Sequence, residues 1–196
     1  HFMPGTAWSA DKETVLQLIY NFQAALDAEQ INLQIVPGME IGFHTKMVER
    51  LLSGQLLSLG NSNYFLIEPP LHGVLVDFYK SVMCLLKQNI KLIIAHPERI
   101  QMFHQRPDLL EILALNGART QVNTGSLLGY FGSTSKQIAL DLWHNKQLHY
   151  IASDAHNLDN RTPLTGPEWE ILLNLPDGEQ LLTSCSRNSR ELAAHV

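Results

Sequence analysis

Five stretches of this sequence read as strands, and each ends in a polar residue. "LQIVPGMEI", "NYFLIEPP", "IKLIIAHPER", "ARTQVNTG" and "LHYIASDAH" end at or near Glu40, Glu68, His96, Asn123 and Asp154. The first carries a bend at Pro37-Gly38. The centre of the third, Leu92-Ile93-Ile94, is apolar without alternation, the mark of a strand covered on both faces. Helical periodicity fills the intervals, in "TKMVERLLSGQ", "VLVDFYKSVMCLLKQN", "RPDLLEILALNG" and "SKQIALDLWHNKQ". A helix start at Ser9-Ala10-Asp11 leads into Val15, Leu16, Leu18, Ile19 and Phe22, a run expected to face the core. "GPEWEILLNL", "GEQLLTS" and "RNSRELAAHV" close the chain as separate helices.

Strands alternating with helices predict an α/β fold with a parallel sheet covered by helices. A doubly wound sheet gathers only some strand ends at its switch point. A (β/α) barrel gathers all of them at one face. A polar residue at every strand end therefore favours the barrel. At 196 residues the chain makes one domain, residues 1–196, with length enough for a sizeable core.

Charge and composition narrow the function. The net charge of -5 offers no surface for nucleic acid or an anionic membrane. Two cysteines, Cys84 and Cys185, make neither a disulfide framework nor a thiolate metal site, and the helical pattern around Cys84 predicts a core thiol. No stretch is long and apolar enough to span a bilayer and no signal-peptide layout is visible, so the expected setting is the cytoplasm, without membrane insertion. Nine histidines make metal chemistry worth testing.

The stretch "HYIASDAHN" is the most informative. If the chain stays extended past Asp154, then Asp154 and His156 point to the same side and converge. Imidazoles and carboxylates at Glu40, His96, Asp154 and His156, without thiolates, suit zinc, manganese or iron. Glu68, next to Pro69, reads as strand structure. Arg99 follows His96, and Arg161 follows His156. Arginine presents a planar fork to phosphate oxygens. Metal ligands and arginines at one mouth point to phosphate-ester hydrolysis. Trp143, Trp169 and Phe78 sit at helical spacing with aliphatics and read as core. His44, His72, His104, His144, His149 and His195 read as surface or packing residues, with His44 and His72 near strand ends.

"GMEI", "IIAHPERI", "TQVNTGSLLG" and "ASDAHNLDNRTP", in this order, closely resemble the polymerase and histidinol phosphatase (PHP) superfamily. The closer likeness is to its bacterial branch of tyrosine-protein phosphatases linked to capsule and exopolysaccharide synthesis. The resemblance runs over nearly the whole chain and implies a distorted (β/α)7 barrel with a metal centre at its strand ends. It implies manganese first, with iron or zinc as alternatives, and up to three ions in the complete fold. The implied substrate is phosphotyrosine, typically in the tail of a partner tyrosine autokinase. It makes Glu40 a bridging ligand and gives His96, Asp154 and His156 to separate ions. Arg99 and Arg161 become phosphate clamps, and "HFMPG" makes His1 a further ligand.

The chain departs from that family at its start. The family opens on a strand with a His-x-His pair and then an acidic loop, and neither is present. By the size of a βα unit, a segment on the order of 40 residues is expected to be missing. Fewer than three tightly bound metals, and an open sheet edge inviting a homo-oligomer, are then expected. Two other readings stay open beside the tyrosine phosphatase. One is a small-molecule phosphatase of the histidinol-phosphate type. The other is a non-catalytic remnant of the domain.

Overall fold

The computed structural model describes residues 1–70 and 75–194. Five strands form one sheet: β1 (Glu40–Gly42), β2 (Tyr64–Glu68), β3 (Lys91–Ala95), β4 (Arg119–Asn123) and β5 (Tyr150–Ala152). All four neighbouring pairs are parallel, in the order β1-β2-β3-β4-β5. Each strand thus lies beside its predecessor in sequence. A doubly wound sheet would reverse direction at a switch point, whereas this order is the singly wound arc of a distorted (β/α) barrel. Before the sheet, Phe2 bridges to Ile41 in the parallel sense. The Phe2 N–H donates to the Glu40 carbonyl at 2.8 Å, and the Gly42 N–H donates to the Phe2 carbonyl at 3.0 Å.

The helices are α1 (Lys12–Ala28), α2 (Met47–Leu52), α3 (Leu75–Lys87), α4 (Gln101–Gln105), α5 (Pro107–Leu115), α6 (Thr124–Leu128), α7 (Ser133–His144), α8 (Gly166–Leu173) and α9 (Gly178–Ala193). The period of two along a strand divides the sheet cleanly. Register pairs Glu40 with Leu66, Leu66 with Ile93, Ile93 with Arg119, and Asn123 with Ala152, so these residues share one face. Ile41, Ile67, Leu92, Ile94 and Val122 take the other face and are wholly buried, in one core with Phe78, Val82 and Leu85 of α3. Glu40, Glu68 and Asn123 fall on the first face, where a smaller cluster of Tyr64, Ile93 and Tyr150 sits. The carboxylates thus belong to the side away from the main helix layer.

Several expectations change. The strand expected over "LQIVPGMEI" shrinks to Glu40–Gly42. Ahead of it the Gln23 side chain takes the place of a neighbouring strand, donating to the Leu33 carbonyl and accepting from the Ile35 N–H. The apolar run of α1 does not enter the core. Val15 packs against the core and Leu26 is buried, but Leu18, Tyr20 and Phe22 are 59%, 71% and 55% exposed. Its start is as expected, with Asp11 capping the Thr14 N–H at 2.8 Å. Cys84 is exposed, because the buried stripe of α3 runs through Phe78, Val82 and Leu85 and passes it by. Trp169 is 41% exposed rather than core, while Phe78 is buried and Trp143 packs partly against the core. "GEQLLTS" and the following residues as far as Ala193 form one helix, α9. His72 and His195 lie outside the described residues. No helix among the described residues is long and apolar enough to cross a membrane.

The corner between α8 and α9 leaves no room for a side chain at Gly178. A Cβ there would lie 2.1 Å from the Leu172 carbonyl oxygen and 2.8 Å from that of Leu173. Backbone cannot yield as a side-chain tip can. Gly178→Ala is expected to destabilise the protein by about 1–3 kcal/mol, the usual range for overpacking. Urea unfolding of the variant against the parent measures it, and an unchanged midpoint would show that the corner relaxes freely.

Candidate metal centre

His1 and Glu40 meet because residues 1 and 2 run beside β1. His1 Nε2 lies 2.9 Å from Glu40 Oε2. The other oxygen of Glu40, Oε1, is 3.3 Å from His96 Nε2. Glu40 therefore stands between two imidazoles. His96 follows β3 and takes a left-handed backbone (φ 32°), with its N–H donating to the Gln121 carbonyl at 2.7 Å. That turn directs the imidazole to a second carboxylate, Glu68 Oε1, also at 3.3 Å. One donor atom from each of Glu40, Glu68 and His96 lies within 4.8 Å of the others.

Glu68 is the residue that sequence reading missed, having been assigned to strand structure. Its signal was its parity. Tyr64, Leu66 and Glu68 share a face of β2, and Leu66 is level with Glu40. Register therefore sets both carboxylates on the site's side of the sheet. Pro69 and Pro70 explain where the strand stops but not which way Glu68 points.

The second half of the site comes from the loop after β5. Asp154 and His156 do converge, though not by continued extension. Asp154 has a left-handed backbone (φ 55°), and His156 Nδ1 then lies 2.9 Å from the Asp154 carbonyl and 3.6 Å from its Oδ1. The rest of the loop is held by itself. Asn157 Oδ1 accepts from the N–H groups of Asp159, Asn160 and Arg161, and the Arg161 carbonyl accepts from those of His156 and Asn157. This folds the loop back so that Arg161 Nη1 stands 3.2 Å from His156 Nε2. His156 and His1 ring centroids are 5.0 Å apart, which joins the two halves.

Asp154 Oδ2 gathers three donors: Arg161 Nη2, Asn123 Nδ2 at 2.8 Å and Arg99 Nη1 at 3.4 Å. Neither arginine pairs with its nearer carboxylate in sequence. Glu98 is fully buried instead, accepting from Ser126 Oγ at 2.6 Å and the Asn123 N–H at 3.1 Å, and burial pushes its pKa up. It ties the turn after β3 to the end of β4, where Asn123 reaches Asp154.

All five ligands expected from the sequence (His1, Glu40, His96, Asp154, His156), both arginines and Glu68 line a single cleft of about 240 Å³, with Met3 and Trp8 completing the wall. His44 lines an adjoining groove beside Glu68. His104 makes a packing contact through Nε2, 2.7 Å from the Glu98 carbonyl.

The electrostatics of the cleft follow from its contacts. Burial alone would raise the Glu40 pKa, yet hydrogen bonds from His1 and His96 outweigh it and bring it to about 2. Burial likewise opposes charge on His96, but bonds to Glu40 and Glu68 lift its pKa to about 9. The hydrogen bond to Glu40 also raises that of His1. Does this donor set fit a divalent metal? Three carboxylates and three imidazoles in one cleft are oxygen and nitrogen donors of the kind manganese, iron and zinc accept. The partly buried Glu40–His96–Glu68 group brings its donor atoms to the mutual spacing a shared ion requires. The residues fit.

Comparison with known proteins bears on the family and the fold. The profile of the capsular polysaccharide synthesis family CpsB/CapC matches residues 1–173. The tyrosine-protein phosphatase YwqE of Bacillus subtilis (strain 168) is 38% identical over 133 residues, 68% of this chain and 52% of that protein. The putative tyrosine-protein phosphatase CapC of Staphylococcus aureus is 31% identical over 156 residues, 79% of this chain and 60% of that one. This chain thus spans between half and two thirds of the length of these relatives. Among crystal structures of YwqE from Bacillus subtilis and CpsB from Streptococcus pneumoniae, described as metal-dependent tyrosine phosphatases, one superposes with a TM-score of 0.86. It is 31% identical in sequence, and the match covers 96% of this chain and 76% of that one.

Proposed function

The chain belongs to the CpsB/CapC family of capsular polysaccharide synthesis, and from that premise we propose that it is a metal-dependent phosphatase acting on phosphotyrosine. The proposed substrate is the phosphorylated tail of a bacterial tyrosine autokinase, and the proposed outcome is control of capsule or exopolysaccharide production. The proposed setting is the cytoplasm. One observation supports the reading above the others: six metal-type donors and two guanidinium groups line the same cleft.

In this reading His1, Glu40, Glu68, His96, Asp154 and His156 hold the metal, with manganese the first candidate and iron or zinc compatible. When bound, divalent ions supply Lewis acidity toward a phosphoryl oxygen and acidify water. The protein's own side chains bind and orient the ester. Arg99 and Arg161 exchange the carboxylate of Asp154 for phosphate oxygens, presenting planar donors to an anion of matching geometry. Glu98 and Asn123 keep Asp154 in place from below. Trp8 and Met3 wall the mouth and limit the access of bulk water.

The test is turnover of a phosphotyrosine peptide by the manganese-loaded protein, beside turnover of histidinol phosphate. Phosphotyrosine is expected to be the better substrate. Preference for histidinol phosphate would move the protein to the small-molecule class, and turnover of neither would mark a non-catalytic domain.

Removing either clamp should separate substrate binding from metal binding. Arg99→Ala and Arg161→Ala are each expected to cut kcat/KM on phosphotyrosine peptide by about ten- to a hundredfold, the worth of a charge-assisted hydrogen bond. Metal content should stay at the parent level. Kinetics unchanged in both variants would take the arginines out of the site.

A further inference from the structure

Beside the cleft lies a groove of about 200 Å³ that shares Asp154 and Arg161 with it. Its apolar walls are Leu128, Tyr130, Phe131 and Leu164. These walls are built rather than loose. The Phe131 ring stacks on the Arg99 guanidinium, 4.1 Å from carbon to centroid. The ring also lies close to Gly125, where a Cβ would come within 2.9 Å of Phe131 Cε2. Tyr130 is held by a hydrogen bond from its hydroxyl to Glu168 Oε1 at 2.8 Å. Leu164 packs against the main core.

We infer that this groove is an aryl subsite, which takes the aromatic ring of the phosphomonoester whose phosphate lies at Arg99 and Arg161. The inference rests on the phosphatase reading and adds to it the reason for an aryl ester. Three features carry it. The groove shares Arg161 and Asp154 with the cleft, so a ring bonded to a phosphate clamped at Arg161 adjoins it. Its volume suits a single six-membered ring, since apolar cavities of about 150 Å³ accept benzene. Among its described lining residues Arg161 is the one cation, and the carboxylates of Asp154 and Glu168 oppose a second anionic group there, whereas a neutral ring gains contact with the apolar walls beside the polar Thr124, Ser153, Asn160 and Thr162. An aliphatic phosphomonoester, such as phosphoserine, leaves the groove to water.

Trp8 is the rival platform. Its indole is 60% exposed at the mouth of the cleft, with its ring centroid 6.0 Å from that of His1 and 5.9 Å from that of His156. Those edge contacts brace the two histidines, and the test distinguishes the two walls.

Calorimetric binding of benzylphosphonate and methylphosphonate to the manganese-loaded protein isolates the ring from leaving-group chemistry. Benzylphosphonate is expected to bind roughly tenfold more tightly, from burial of one ring. Tyr130→Ala and Leu164→Asn should each remove most of that advantage and leave methylphosphonate affinity unchanged. Tyr130 is a surface residue, so its variant remains informative if Leu164→Asn fails to fold. Trp8→Ala, which also loosens His1 and His156 and so can weaken both ligands together, should keep the ratio between the two affinities. Equal affinities in the parent overturn the groove, as does an advantage that survives in Tyr130→Ala or disappears in Trp8→Ala. If methylphosphonate binds without any aryl advantage, the phosphatase reading stands and only the subsite falls. If neither phosphonate binds and no phosphomonoester is hydrolysed, both fall together.

Discussion

Glu40→Gln is expected to reduce phosphatase turnover by more than about a hundredfold, beyond the loss typical of residues that merely support a metal ligand. Metal content should fall with it. Among the described residues Glu40 is the one carboxylate whose two oxygens face different imidazoles, His1 and His96. An amide of the same shape keeps one oxygen and replaces the other with a donor, so it cannot serve two cations at once. Glu68→Gln should be milder, because a single contact ties Glu68 to the cluster, through Oε1 to His96. Neither change reaches the main core, since Ile41 and Ile67 beside them face the opposite side of the sheet. Elemental analysis and turnover on both variants check the order. Equal metal content in Glu40→Gln and the parent would remove Glu40 from the centre, and a larger loss in Glu68→Gln would invert the proposed roles.

Parity explains much of what the sequence made legible. Ile67 and Ile94 lie on one face of neighbouring strands, and their burial could be read from apolar runs that do not alternate, whereas Val122, set in the polar stretch "TQVN", gives no such sign. A polar residue at the end of each expected run singles out Glu40, His96, Asp154 and His156 as candidates before any geometry, although Glu40 opens β1 and does not end it. Glu68 shows the limit of that reading, because which face its side chain shares with Glu40 depends on register with the neighbouring strand and not on the prolines beside it. The turn at Asp154 shows another limit. Extension past the strand and a left-handed turn both bring Asp154 and His156 together, and the sequence does not separate them. The hydrogen bonds that Asn157 Oδ1 accepts close the loop that selects the turn. In α1, periodicity correctly identified a helix with apolar residues on it, but periodicity is a local property. Whether Leu18, Tyr20 and Phe22 meet a neighbour depends on the rest of the fold.

Asp154→Asn and His156→Ala should both cost turnover by orders of magnitude, yet they should differ in what they do to phosphate. Asp154 is the shared partner of both arginines and of Asn123, so its negative charge competes with any anion for the same guanidinium groups. With Asn at this position the shape remains and the competition ends. In chelator-treated protein, affinity for inorganic phosphate should then rise by roughly three- to tenfold, as expected for removing one charge several ångströms from an anion in a partly solvated site. His156→Ala removes an imidazole and leaves Asp154 holding both arginines, so phosphate affinity of the chelated protein should not rise. Metal content should fall in both, because each change removes a ligand from the proposed centre. A simple capping role at the end of β5 predicts something else: a modest drop in melting temperature, with metal, turnover and phosphate affinity as in the parent. Measuring the four quantities on the two variants separates these accounts. A phosphate affinity that falls in Asp154→Asn would mean that Asp154 orients the arginines more than it opposes the anion, and full turnover in either variant would exclude that residue from the centre.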